Sequence, residues 1–186
     1  MSESKVFSTL GATNHSHTKR QLNDFYETPA PAVHKLLEVE DFTGEIWECA
    51  CGKNAIVNSL QSKYNNIYAS DLIDRGVGAN IEDFLQSTRK TKNIITNPPF
   101  SLALPFVKKA LELADDKVAM LLRIQFLEGK ERYEFFKHNP PSKVYVFGNR
   151  VNTIIDGEEY NSAMCLAWFV WDKSYKGDTI IKWLMY

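Results

Sequence analysis

Short apolar runs alternate with amphipathic segments along most of the chain. The runs are rich in β-forming residues, and the segments between them carry apolar residues three and four positions apart, as amphipathic helices do. The pattern predicts strands at 46–49, 66–70, 93–96, 117–123, 143–147, 163–171 and 179–184. It predicts helices at 55–63, 81–87, 104–114 and 128–138. It also predicts an earlier helix with Thr28 as its N-cap and Pro29 as its first residue.

Strand–helix alternation at this spacing predicts an α/β fold with a doubly wound, mostly parallel sheet of seven strands. The last two strands have no helix between them, which predicts an antiparallel hairpin at the C-terminal edge. Residues 25–186 are expected to form one domain, because no linker or repeat interrupts them. Residues 1–24 are polar and lack apolar periodicity, so we expect a flexible arm there.

Composition narrows the possible functions. The formal charge of −1 gives no overall signature of polyanion binding, so nucleic-acid contact would need a local patch. No apolar run reaches membrane-spanning length, and the first residues lack a signal peptide's apolar stretch. Cys49 and Cys51 lack zinc-site spacing, and His15 and His17 have no other ligand types nearby. We expect a soluble protein of a reducing compartment, with no membrane and no metal.

The segment Asn97-Pro98-Pro99-Phe100 is the most informative motif. It directly follows the β-type run 93–96, and two prolines prevent that strand from continuing. The prolines also hold Asn97 and Pro98 extended. The Asn97 side chain and the Pro98 carbonyl can then act as rigid acceptors beside an aromatic ring, which suits the grip of a planar amino group. A simple strand-ending turn is the alternative.

Three further polar clusters end predicted strands, where ligands of parallel sheets bind. In the first, 48–54, Gly52 permits close approach of a ligand, and Asn54 tolerates a left-handed backbone. The three-glycine dinucleotide pattern is absent from it. Asp71 is placed to accept hydrogen bonds from ribose hydroxyls. Asp83 could accept from an exocyclic amine while Phe84 covers an adenine face. A tight turn, a turn cap and a surface residue are the respective structural alternatives.

In this order along the chain, the motifs resemble those of class I S-adenosylmethionine-dependent methyltransferases with an Asp/Asn-Pro-Pro-aromatic loop. Among these, the chain looks most like the small phage- and prophage-type DNA adenine N6-methyltransferases. The resemblance extends from about residue 25 to the C-terminus, although Asn54 stands where the family usually has glycine. It implies a Rossmann-like fold, S-adenosylmethionine as cofactor and a place of action in the cytoplasm, that of a bacterial host if the chain is phage-encoded.

The resemblance also implies a role for each motif. The implied cofactor-binding residues are Tyr26, Thr28 and Pro29 near the methionine moiety, Glu48, Cys51 and Gly52 in the glycine loop, Asp71 at the ribose, and Asp83 and Phe84 at the adenine. The implied catalytic loop is Asn97, Pro98, Pro99 and Phe100. Acceptors on both N6 hydrogens would aim the amine lone pair at the sulfonium methyl, by positioning and fixed dipoles. Phe100 would stack on an adenine flipped out of a DNA duplex.

One stretch of the sequence has an excess of basic residues that could contact nucleic acid. Seven Lys or Arg residues and three Glu residues lie between Lys117 and Arg150. The candidate phosphate contacts are Arg123, Lys130, Arg132, Lys143 and Arg150. A solvated helix face with mixed charges is the alternative. Two other functions also stay open: methylation of another amine, in an RNA base or a protein glutamine, and an inactive module that binds cofactor and nucleic acid.

Overall fold

The computed structural model describes residues 27–155, 158–160 and 164–185. The predicted arm at 1–24 and the candidate cofactor residue Tyr26 lie outside these residues.

Ten strands and four α-helices lie within the described ranges. The strands are β1 (Ile46–Glu48), β2 (Ile67–Asp71), β3 (Asn80–Ile81), β4 (Thr91–Thr96), β5 (Ala114–Arg123), β6 (Lys143–Phe147), β7 (Thr153–Ile155), β8 (Glu158–Tyr160), β9 (Leu166–Asp172) and β10 (Ile180–Leu184). The helices are α1 (Ala30–Val39), α2 (Ala55–Leu60), α3 (Ala103–Leu113) and α4 (Lys130–Phe136). Single 3₁₀ turns span Phe84–Gln86, Phe100–Leu102 and Ile124–Leu127.

Eight strands form one sheet in the order β10-β6-β9-β5-β4-β1-β2-β3. Every neighbouring pair is parallel except the two that involve β9, which runs antiparallel to both β5 and β6. This arrangement confirms the predicted α/β class and its mostly parallel sheet. The final strands differ from the predicted hairpin, because β9 inserts between β5 and β6 while β10 pairs parallel with β6. A separate antiparallel pair is formed by β7 and β8.

Helices cover both faces of the sheet, which explains the nearly continuous apolar strands. The side chains of the central strand β5 alternate between the two faces of the sheet. Val118 and Met120 point into the core beneath α3, whereas Ala119 and Leu121 point into the core beneath α1 and α2. This alternation follows from the two-residue period of a strand. The sheet is therefore a rigid platform, and its carboxyl-terminal edge holds the ends of β1, β2, β4, β5 and β6.

Two local predictions are wrong for identifiable reasons. The predicted helix at 81–87 is replaced by β3, which pairs with the end of β2, and by a 3₁₀ turn that Asp83 caps through the Leu85 N–H (3.0 Å). Thr28 does not cap α1. The N-cap is Pro29, and the Thr28 hydroxyl instead accepts a hydrogen bond from Asn97.

Candidate active site

A cavity of about 620 Å³ opens at the carboxyl-terminal edge of the sheet. Its wall is built by the ends of β1, β2 and β4, the 3₁₀ turn after β3 and the start of the chain's described part. Of the predicted site residues it is lined by Thr28, Glu48, Cys51, Asp71, Asp83, Phe84, Asn97 and Pro99. Ligand pockets commonly measure about 300–1,000 Å³, so this cavity has room for a nucleoside-sized molecule.

The loop between β1 and α2 bends sharply beside the cavity. Gly52 has a φ of 54° and Asn54 a φ of 66°, so both lie in the left-handed region. Asn54 is the one non-glycine residue with positive φ in the described ranges. Its amide Nδ2 donates to the Val77 carbonyl at 3.3 Å. Asn54 therefore adopts a conformation that is ordinary for glycine, which accounts for its place in the loop.

Asp71 links this loop to the end of β2. Its Oδ2 accepts from the Gly52 N–H at 2.8 Å, and its Oδ1 accepts from the Ile73 N–H at 3.0 Å. The Arg75 guanidinium lies 3.9 Å away. Each carboxylate oxygen has a second lone pair. The carboxylate is thus held at the cavity wall with capacity to accept from a ligand hydroxyl.

Glu48 is completely buried at the end of β1. Its Oε1 accepts from the Ala50 N–H at 3.0 Å, whereas Oε2 has no hydrogen-bond partner among the described residues. Burial raises the pKa of this carboxyl to about 8, against opposing effects of Thr96 and the Ala50 N–H. Burial also raises the pKa of the neighbouring Cys51 thiol to about 12. Cys51 is therefore a small neutral residue of the wall.

Asp83 and Phe84 flank the cavity differently. The Asp83 carboxylate is exposed, and one of its oxygens caps the 3₁₀ turn. The Phe84 ring is buried between Trp47 and Phe106, with ring centroids 5.2 and 5.0 Å away. Phe84 thus borders the cavity as part of an aromatic cluster that fixes its position.

Asn97 follows β4 and is anchored by Thr28. The Asn97 Nδ2 donates to the Thr28 Oγ1 at 3.0 Å, across 69 positions of sequence. That hydrogen bond orients the amide, so its buried Oδ1 is the acceptor end of the group. Thr28 thus holds the Asn97 amide in place of capping α1, and its contact with a cofactor stays a prediction.

The predicted catalytic loop divides between two sides. Asn97 and Pro99 line the cavity, whereas Pro98 and Phe100 do not. The Phe100 ring faces β5, where the Arg123 guanidinium lies 4.7 Å from its centroid. The Phe100 ring thus lies outside the cavity, three positions along the chain from Asn97. Pro29 is buried at the start of α1 and also does not line the cavity.

The candidate basic residues fall on opposite edges of the sheet. Arg123 ends β5, Arg132 lies over the Phe126 ring (5.6 Å), and Arg150 donates to the Cys165 Sγ (3.0 Å), just before β9 begins. All three are at the edge that holds the cavity. Lys143 begins β6 at the other edge, and its Nζ lies 2.5 Å from the buried Glu40. The prediction that Lys143 contacts phosphate is therefore wrong, because its charge neutralises a buried carboxylate.

Sequence reasoning missed several residues of the wall. Arg75, Glu82 and Phe106 all line the cavity. Phe106 follows the helical period of α3 and could have been inferred as a core residue near the site. Arg75 and Glu82 lie on turns without apolar periodicity, so no local signal identifies them. Within the described ranges, no cluster of three or more His, Cys, Asp or Glu forms a metal site, and no helix is long and apolar enough to span a bilayer.

Comparison with known proteins identifies the fold. No protein-family model matches the sequence, and no curated protein matches it. Solved structures do match. One is a candidate RNA methyltransferase from Pyrococcus horikoshii, with a TM-score of 0.63 and 15% identity over 81% of this chain and 87% of that chain. Another is the modification subunit of a candidate type I restriction enzyme from Vibrio vulnificus, with a TM-score of 0.61 and 14% identity over 87% and 47% of the two chains.

A third match is a candidate class I S-adenosylmethionine-dependent methyltransferase from Listeria monocytogenes, with a TM-score of 0.60 and 12% identity over 83% of this chain and 62% of that chain. The chain thus spans most of the length of the P. horikoshii protein and about half that of the V. vulnificus subunit. Together these similarities show that the chain has the fold of the class I methyltransferases.

Proposed function

We propose that the chain transfers a methyl group from S-adenosylmethionine to the exocyclic N6 amine of adenine in DNA. The observation that supports this most strongly is the Asn97 amide, oriented by Thr28 at the rim of a nucleoside-sized cavity at the carboxyl-terminal edge of the sheet. The proposed place of action is the cytoplasm, that of a bacterial host if the chain is phage-encoded, with residues 25–186 as one catalytic domain and 1–24 as an arm.

The cavity's residues fit the proposed cofactor. Asp71 offers carboxylate oxygens to a ribose, and Asp83 offers an exposed carboxylate to an adenine amine beside the Phe84 ring. Glu48 supplies a buried oxygen, Oε2, that has no hydrogen-bond partner within geometric limits among the described residues, an acceptor suited to a cationic methionine moiety. The small residues Cys51 and Gly52 leave room for the cofactor beside the loop between β1 and α2. Tyr26, which the family resemblance implies as a cofactor contact, completes this proposed set.

The cofactor supplies an electrophilic methyl group on a sulfonium. Asn97 Oδ1 and the Pro98 carbonyl accept the two N6 hydrogens, which directs the nitrogen lone pair toward that carbon. With the cofactor held by Glu48, Asp71 and Asp83, its methyl carbon would exchange the bond to sulfur for a bond to N6, and one N6 proton would pass to solvent. Positioning supplies most of the rate, since effective molarities of oriented groups are very large.

Phe100 is proposed to stack on the acceptor base. Its ring lies outside the cavity and three positions along the chain from Asn97. We propose that a base stacked on this ring presents its amine to the cavity. An adenine within a duplex cannot reach this place, and must therefore leave the stack first.

An RNA base is the second candidate acceptor. The similarity to the P. horikoshii protein, itself described as an RNA methyltransferase, favours it. The type I modification subunit, from a restriction enzyme, favours DNA.

Paired substrates test the proposal. Single-stranded and duplex DNA, and RNA of the same sequence, are incubated with methyl-labelled S-adenosylmethionine and digested to nucleosides for mass spectrometry. We expect N6-methyl-2′-deoxyadenosine to predominate. Label in the RNA alone would show that RNA is the substrate. If the protein binds the cofactor but labels neither nucleic acid, the proposal is contradicted.

A further inference from the structure

Arg123 holds an unusual position beside the proposed base site. It ends β5 with its side chain exposed, and its guanidinium lies 4.7 Å from the centroid of the Phe100 ring. Phe100 itself packs partly against the core on the α1 face of the sheet. The guanidinium therefore covers the ring on which the acceptor base is proposed to stack.

Within the part of the chain that the structure describes, no ion pair neutralises the charge of Arg123. Among the described residues, no carboxylate lies within ion-pair distance of it. Two lysines of neighbouring strands are paired with the same carboxylate: Lys117 lies 2.9 Å and Lys143 lies 2.5 Å from Glu40. Lys117 and Arg123 belong to the same strand, and the cation without an ion pair among the described residues is the one at the end of β5 that adjoins the catalytic loop.

A planar guanidinium and a planar base compete for the same aromatic surface. Arginine stacks on aromatic faces and also binds phosphate through its fork of N–H donors. The attraction to a phenyl ring is weak at an exposed site, whereas a phosphate oxygen forms charge-assisted hydrogen bonds. When a nucleotide binds, its base can therefore take the place of the Arg123 guanidinium on the Phe100 ring, and its phosphate can bind the displaced guanidinium.

We propose that Arg123 covers Phe100 in the free protein, gives way to the acceptor base, and then binds the phosphate next to the flipped nucleotide. This inference rests on the proposed function and specifies its substrate as a nucleotide within a polyanionic strand. A protein glutamine, which has no adjacent phosphate, would only have to displace the guanidinium and would gain nothing from it.

The exchange predicts effects of opposite sign on two matched acceptors. One is a single-stranded DNA oligonucleotide, and the other has the same sequence with neutral methylphosphonates at the two linkages that flank the acceptor adenine. Arg123→Ala should lower kcat/KM about tenfold or more on the ordinary strand and reduce its salt slope by about one. On the methylphosphonate strand it should raise kcat/KM a few-fold, because the competitor for the ring is gone.

Two further variants complete the test. Lys182→Ala removes the same charge from exposed β10 and should change neither acceptor. Arg123→Lys keeps the charge without the planar fork, so it should retain the salt slope on the ordinary strand. It also stands in if Arg123→Ala fails to fold. Unchanged thermal unfolding and cofactor binding show that each variant is intact.

Equal losses from Arg123→Ala on both strands, or an unchanged salt slope on the ordinary strand, would overturn the inference while leaving the proposed function in place. If the wild-type protein methylates neither strand but binds the cofactor, the proposed function fails and the inference fails with it.

Discussion

Glu48 ends β1 with no exposed surface, and burial raises the pKa of its carboxyl from 4.5 to about 8. A carboxyl whose pKa is higher in the folded state binds its proton more tightly there than in the unfolded chain. Its contribution to stability is therefore fully present below pH 4.5 and is lost as the pH rises toward about 8. Above that pH the carboxylate is charged in both states, and the loss reaches its limit.

Glu48→Gln should remove this pH dependence, because a neutral amide occupies the same place without titrating. Urea unfolding of the two proteins at pH 6 and pH 8.5 measures it. We expect the unfolding free energy of the wild type minus that of the variant to fall between pH 6 and pH 8.5, by roughly 1.4 kcal/mol for each pH unit up to about pH 8. Other titrating groups cancel in the comparison. Parallel pH profiles would show that Glu48 keeps an ordinary pKa.

Thr28 acts on catalysis through Asn97, since its hydroxyl orients that amide. Thr28→Val preserves the shape but removes the hydrogen bond, whose net contribution is typically about 1 kcal/mol. We expect kcat to fall about five- to tenfold while cofactor affinity stays nearly constant, as measured by initial rates and calorimetry. Thr28→Ser retains the hydroxyl and should recover most of the rate. A valine variant that loses cofactor binding instead would make Thr28 a cofactor contact only.

At the scale of elements, Asp71 joins the end of β2 to the loop after β1. Asp71→Ala should weaken S-adenosylmethionine binding by about 1–3 kcal/mol, because it removes the proposed ribose acceptor and leaves the Gly52 N–H unpaired. Calorimetry measures the change. Asp74→Ala is a matched control, since that exposed carboxylate caps Gly76 (2.8 Å) in the following turn. Equal affinities of all three proteins would remove Asp71 from the site.

The sequence predicted elements well where the signal is local. The apolar runs at β4, β5 and β6 and the helical period of α3 lie close to their predicted positions. Pairing partners could not be predicted in the same way, because strand order depends on contacts between distant segments. Nothing near β9 indicates that it inserts between β5 and β6.

The candidate site shows the same division between local and distant information. Gly52, Asp71 and Asn97 could be found because ligands gather at the carboxyl ends of parallel strands. The hydrogen bond from Asn97 to Thr28 and the stack of Arg123 on Phe100 join different elements. Lys143 illustrates the opposite error, since its buried partner Glu40 is 103 positions away. Positive charge along a sequence cannot reveal which cations are already paired.

Across the whole molecule, the two edges of the sheet carry basic residues with different tasks. Burial would raise the pKa of Glu40, but hydrogen bonds from Lys143, Lys117 and Tyr145 outweigh it and hold that pKa below its usual value. Lys143→Ala should therefore destabilise the fold by about 1–3 kcal/mol in urea unfolding. It should leave the salt dependence of DNA binding unchanged.

Arg132→Ala should have the opposite pair of effects. It should change the stability little and should reduce the salt slope of DNA binding by up to about one unit. The salt slopes of the Lys143→Ala and Arg132→Ala proteins are measured by fluorescence anisotropy with labelled DNA over a range of salt concentrations. If Lys143→Ala flattened the slope as well, the DNA path would have to extend to the edge opposite the cavity.

In the proposed reaction Asn97 serves the acceptor amine rather than the cofactor. This role is measured by single-turnover transfer from methyl-labelled S-adenosylmethionine to adenine-containing DNA, together with the cofactor dissociation constant. Asn97→Ala should slow transfer by about 10²–10³ and leave cofactor affinity nearly unchanged, whereas Asn58→Ala on the exposed side of α2 should alter neither. Loss of cofactor binding together with transfer in a folded Asn97→Ala protein, or full transfer without the amide, would contradict the account.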